Sequence, residues 1–200
     1  MMCSPMDNRK ACDFVFRELT FENVDRALEL CEKCVGENLY TKTDLITAIT
    51  SPDRFYYLVF DGDNIAGYIY FLLTDIEKIE SDVKYHHGRL SALCQDDNAI
   101  VGRIQSVGVD ENYRGRGLSS QMIEFSLGIL SRQDVDICFV VCWKIDDHVP
   151  LEPSVRTSGF VFFDLAYRIW YDNEKLFCEY CCGRCKCDAA VYYKLLKKER

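Results

Sequence analysis

No apolar run in the 200-residue sequence approaches the roughly 20 residues that a membrane-spanning helix requires. The first ten residues, Met1 to Lys10, lack the apolar core of a secretory signal. These two absences lead to the expectation of a cytoplasmic protein with no membrane partner. Positive charge is in deficit: 24 Lys and Arg face 32 Asp and Glu, a formal net charge of −8. That balance repels a phosphate backbone, so nucleic acid is not an expected partner. It favours cationic or amine partners, although plain solubility is the simpler account of the charge. There is no internal repeat, no low-complexity linker, no Walker A loop and no dinucleotide glycine fingerprint.

What is present is the balance of an ordinary globule, 48% hydrophobic and 28% charged. Its length suits one domain, residues 1–200, burying roughly 70% of the unfolded surface without a covalent staple. Residues 14–19 read as a first strand. Val24, Ala27, Leu28 and Cys31 give residues 21–35 helical spacing, ended by Gly36. A second helix is expected over 43–50, stopped by Ser51-Pro52. Residues 55–60 and 65–73 flank Asp61-Gly62-Asp63 as strand, turn and strand. Residues 75–97 are polar and irregular, an insertion or a partly helical excursion. A strand over 100–109 leads to the clearest helix, 117–133, striped by Leu118, Met122, Phe125 and Ile129. Residues 135–143 read as a central strand covered on both faces. A short helix over 152–157, a strand over 160–170 and a last strand over 189–196 complete the chain. The order β-α-α-β-β-β-α-β-α-β-β defines an α/β class in which a sheet mixes hairpins with crossovers.

The chemistry concentrates between Gln105 and Ser120. Gly115 and Gly117 permit positive φ and close backbone approach. The amides from Arg116 to Ser119 open the long helix, where its dipole favours a pyrophosphate. Arg114 and Arg116 can add charge-assisted bonds. A tight strand-to-helix turn bearing two surface arginines reads the same pattern without a ligand. The stretch resembles motif A of the GNAT superfamily, in which Val-x-Val is followed by Tyr-Arg-Gly-x-Gly and a long helix. Arg114, Gly117 and Ser119 align with its Arg-x-x-Gly-x-Gly/Ala core, Ser119 being the departure. Ser158-Gly159-Phe160 resembles the Gly-Phe that follows the family's fourth helix.

The resemblance implies a mostly antiparallel sheet splayed at its centre, and acetyl transfer from acetyl-CoA to an amine. The acceptor would be a small-molecule or protein amine, with a homodimer left open. Acetyl-CoA would be held by Val107, Gly108 and Val109 along the strand, and by Arg114, Gly115, Arg116, Gly117, Leu118, Ser119 and Ser120 at the turn. It also implies a tyrosine acid four residues before Gly159, where this chain has Val155. The remaining catalytic candidates are Gln105, beside Arg103 on the strand, and Asp146 and His148 after the next strand. Each also reads as an ordinary polar residue.

Twelve cysteines are many for a reducing compartment, and five lie between Cys178 and Cys187. Cys178-x-x-Cys181 and Cys185-x-Cys187 form two chelating pairs suited to one structural Zn²⁺. A redox cluster or unligated thiols are the alternatives. The run also resembles a GNAT subgroup carrying Cys-x-x-Cys-Gly-x-x-Cys-x-Cys before the last strand, which implies a zinc knuckle at 178–187. Cys182 stands where that subgroup has glycine and is a candidate substitute ligand.

Overall fold

The computed structural model describes residues 14–94 and 98–196. Seven strands form one sheet in the order β1-β2-β3-β4-β5-β9-β6. These are β1 (Val15–Glu18), β2 (Arg54–Asp61), β3 (Asn64–Thr74), β4 (Val101–Val109), β5 (Ile137–Lys144), β6 (Val161–Ala166) and β9 (Asp188–Leu195). Every neighbouring pair is antiparallel except β4 and β5, which run parallel. β7 (Phe177–Cys178) and β8 (Gly183–Arg184) form a separate two-stranded hairpin. The mixed, mostly antiparallel architecture expected from the sequence is therefore present.

Helices cover both faces of the sheet. α1 (Val24–Val35) and α2 (Lys42–Thr50) lie on one side, burying Val24, Ala27, Leu30, Cys31, Leu45 and Ala48 against β2 and β3. Thr41 starts α2 with a capping box: its backbone N–H donates to Asp44 Oδ2 at 2.8 Å and its Oγ1 accepts from Asp44 N at 3.2 Å. α4 (Leu118–Arg132) covers the other face with Leu118, Met122, Ile123, Leu127 and Leu130, and α5 (Glu152–Thr157) follows β5 beside it. The two faces of the sheet thus carry separate hydrophobic clusters, one under α1 and α2 and one under α4. Among the described residues no helix is long and apolar enough to cross a membrane.

Two expectations need correction. The strand expected over 160–170 ends at Ala166, and Arg168 takes φ 48° in a turn. The helix expected over 21–35 opens with a 3-10 turn, Phe21–Asn23, before α1. The polar segment 75–97 lies between β3 and β4. It holds α3 (Ile76–Asp82) and buries Ile76, Ile79, Val83 and Leu90 against Val101, Ile137 and Phe139. Its apolar positions are sparse because each is surrounded by charged neighbours facing water. Residues 95–97 of that segment, and the terminal parts of the expected 1–200 domain, lie outside the described residues.

Glu80 anchors this segment. It is 2% exposed, and it accepts from the backbone N–H groups of Leu90, Gly88 (2.8 Å) and Ser91 (3.4 Å). Burial pushes its carboxyl up, but the three donors outweigh that and hold it below its ordinary value.

Candidate functional site

β4 and β5 pair only from Val101 with Ile137 to Ile104 with Val140. Beyond that point the strands diverge, and among the described residues Gln105–Val109 have no partner on the β5 side. A bulge marks the opening: Tyr70 faces Ser106 and Phe71 faces Ile104, so Gln105 is the extra residue. Asp110 N–H donates back to Ala66 O at 3.0 Å, on the β3 side. Antiparallel alternation then turns the backbone groups of Val107 and Val109 toward the gap. Arg114 Nε donates to Val109 O at 3.2 Å, in keeping with that direction. The Val107 amide and carbonyl and the Val109 amide face the gap.

A cavity of about 420 Å³ occupies the gap, lined on one side by residues 103–109 and on the other by 140–143. It runs to the turn before α4. Gly115 and Gly117 there adopt φ 73° and 74°, and a Cβ on either would meet no protein atom within 4 Å. Their need is conformational, with open space in front of the backbone. The first helical bond, Gln121 N–H to Gly117 O at 3.2 Å, leaves the amides of Leu118, Ser119 and Ser120 beyond the helix's own ladder. Those amides and the helix dipole make an anion site at one end of the cavity.

The side chains expected there are placed less simply. Arg116 donates to Asn112 O at 2.9 Å and lies over the Tyr113 ring, and Ser119 Oγ is 2.7 Å from Ser154 Oγ of α5. Gly108 has a packing duty instead, since its Cβ would lie 2.1 Å from the Tyr68 ring. Gln105 lines the cavity. Asp146 and His148 do not: they are exposed in a tight turn closed by reciprocal Ile145–His148 backbone bonds of 2.8 Å. Val155, where the resemblance implied a tyrosine, is fully buried.

Among the described residues the cavity lining holds no carboxylate and no imidazole. Its acids are weak ones. Burial pushes the Cys34 thiol up to about 11, against the opposing pull of Arg114, and the Cys142 thiol up to about 12. Burial raises the Tyr40 phenol as well. Among the described residues the one buried cation is Arg103, which is 8% exposed. Its Nη1 donates to Asp82 Oδ2 of α3 at 2.5 Å, while Nε is buried without a partner. Asp82 also pairs with Lys78. A second cavity, of about 620 Å³, meets the first at Leu39, Tyr40, Arg103 and Gln105. Sequence reasoning did not find the walls made by Tyr40, Trp170 and Tyr180, because nothing in linear spacing ties residues so far apart.

The four cysteines of the expected knuckle converge. Their sulfurs lie within 4.8 Å of one another, with Cys178 to Cys187 at 3.9 Å and Cys181 to Cys187 at 3.6 Å. A tetrahedral zinc with Zn–S bonds of about 2.3 Å sets its sulfurs about 3.8 Å apart, so this donor set fits the ion. Lys186 N–H donates to Cys181 Sγ at 3.2 Å, an outer bond that orients the sulfur. Cys182 is not a substitute ligand. It is exposed at φ 49°, and its thiol donates to Glu179 O at 3.5 Å, away from the cluster. The cluster packs on Leu39, Trp143, Ile145 and Trp170, and Phe177 N–H donates to Glu37 O at 3.1 Å. The knuckle therefore braces the loop after α1 against one wall of the cavity.

A sheet opened between parallel central strands, with a glycine turn feeding a 15-residue helix, defines an α/β protein with a cleft for an elongated anionic ligand. The chain belongs to the acetyltransferase (GNAT) family, whose model matches residues 21–148. Solved structures agree on the fold. Arabidopsis thaliana NAA60 in complex with acetyl-CoA superposes with a TM-score of 0.70 at 13% identity, covering 91% of this chain and 98% of that one. The ribosomal-protein-S18-alanine N-acetyltransferase of Escherichia coli gives 0.62 at 10%, covering 94% and 96%. A Bacillus subtilis acetyltransferase in complex with CoA gives 0.62 at 13%, covering 92% and 100%. No curated protein matches the sequence.

Proposed function

We infer that this protein transfers an acetyl group from acetyl-CoA to an amine. The observation that carries the reading is the gap between β4 and β5, which joins unpaired backbone groups at Val107 and Val109 to the amides opening α4. Acetyl-CoA fits that shape. Its pantetheine arm would pair with β4 as an added strand, and its pyrophosphate would sit on the amides of 117–120. The neighbours from Arabidopsis and Bacillus, solved with acetyl-CoA and CoA, support the same ligand.

The reaction is attack of a neutral amine on the thioester carbonyl. A carbon–nitrogen bond forms as the carbon–sulfur bond breaks, and the proton shed by nitrogen ends on the departing thiolate. Backbone amides of the gap stabilise charge developing on the carbonyl oxygen. A thiolate with an ordinary pKa near 8.5 leaves without an enzymic acid, which accommodates Val155. The knuckle cysteines Cys178, Cys181, Cys185 and Cys187 would hold one zinc in a closed structural site.

Val155 also favours a second reading, a module that binds coenzyme A without turnover. One experiment separates the two. Calorimetry with acetyl-CoA on the wild type and on Gly117→Glu, paired with thiol release over an amine panel, should give binding and turnover in the wild type. The glutamate, strained at positive φ and placing a carboxylate beside the pyrophosphate, should weaken binding at least tenfold. Binding without thiol release selects the second reading. No binding by either protein rejects both.

A further inference from the structure

The acceptor side of the gap holds an unusual group for a site that must receive an amine. Arg103 stands one residue before the last β4–β5 pair, where the gap begins, and it lines both cavities. Its side chain is 10% exposed, and among the described residues its Nε has no partner and its one carboxylate, Asp82, is shared with Lys78. A guanidinium offers donors only. A buried donor without a partner costs free energy until an acceptor reaches it. The group it is built to meet is therefore an oxygen, and a second ammonium would be repelled.

The second cavity does not reverse that preference. It sets Asp44, Asp53, Asp75 and Asp82 against Arg54 and Lys78 as well as Arg103. Asp44 is committed to the α2 cap and Asp82 to its two cations. This groove is close to neutral, so it does not select a polycation. It gives a chain running past Arg103 a place to continue.

We propose that the acceptor is the N-terminal amine of a peptide chain, with Arg103 holding the carbonyl oxygen next to that amine and the second cavity receiving the residues that follow. The proposal rests on the acetyl-transfer reading above. An independent observation points the same way, since among the described residues the first cavity offers no carboxylate or imidazole to take a proton from an ammonium. The amine must then arrive neutral. At pH 7 about a tenth of a peptide α-amine is neutral, against well under a thousandth of an alkylamine. A guanidinium beside the bound amine lowers its proton affinity further.

The test uses the full chain with acetyl-CoA and four acceptors: a trialanine amide, free alanine, propylamine and spermidine. Corrected for the neutral fraction of each, kcat/KM for the peptide should exceed that for propylamine at least tenfold. Arg103→Gln should bring that ratio near one, and Arg103→Lys should restore part of it, while acetyl-CoA affinity in calorimetry stays unchanged. Spermidine or propylamine matching the peptide overturns the proposal, as does a ratio that survives Arg103→Gln. Free alanine outrunning the peptide overturns the peptide assignment. A readout independent of turnover is the thermal shift that the CoA complex gains from N-acetyltrialanine amide compared with N-propylacetamide. Equal shifts overturn the proposal alone, whereas failure to bind acetyl-CoA removes the acetyl-transfer reading beneath it.

Discussion

At the scale of single residues, two buried charges do work that composition does not reveal. Arg103 and Glu80 are both buried, and each is held by partners from the segment 75–94. Glu80 stabilises the fold through three backbone donors, so Glu80→Gln should cost roughly 1–3 kcal/mol by leaving buried donors poorly matched. The sign with pH follows from its depressed pKa. The unfolded carboxyl binds a proton more readily than the folded one, so the contribution is complete above the ordinary value of 4.5 and fades as pH falls through the folded value. Thermal unfolding of wild type and Glu80→Gln should differ most near pH 7 and converge in acid. A difference that stays constant from pH 7 to pH 3 would remove Glu80 as the anchor.

At the scale of elements, strands and helices were largely legible because their periods are strong. α4 and α5 occupy the expected residues to within one or two positions at each end. Gly117 was readable as a helix start because few other residues tolerate its φ. What escaped the sequence was whatever depends on contact across the sheet. The burial of α3, the end of β6 at Ala166, and the removal of Asp146 and His148 from the cavity are set by partners far along the chain. Local pattern carries no record of them. The cysteine knuckle falls between: its spacing was readable, but the exclusion of Cys182 depends on the turn at φ 49°. With zinc bound, the purified protein should contain about one metal ion per chain, and a strong chelator should lower the melting temperature by several degrees. Cys185→Ser should do the same, whereas Cys182→Ser should change neither metal content nor melting. Metal-free protein that melts unchanged in chelator would return the cluster to plain buried thiols.

At the scale of the whole molecule, the gap that admits the ligand is also a short seam between two halves of the sheet. β1 to β4 form one half, and β5, β9 and β6 form the other. Only four register pairs join them directly, Val101–Ile104 with Ile137–Val140, whereas β5 and β9 share eight. α4 spans the seam on one face, and the knuckle braces the other through Leu39 and Trp143. A ligand that pairs with β4 and reaches the start of α4 adds a third bridge exactly where ladder bonds are missing from the native sheet. Acetyl-CoA at a hundred times its dissociation constant should therefore stabilise the fold by about 2.7 kcal/mol, raising the melting temperature by about 5–10 °C in a domain of this size. Hydrogen exchange should show where that gain falls: the amides of Val107 and Val109, and those opening α4, should become protected. The β1–β2 ladder, remote from the seam, should change little. Protection spread evenly over the sheet, or confined to β6 and β9, would place the ligand elsewhere and dissolve the link between the splayed strands and acetyl transfer.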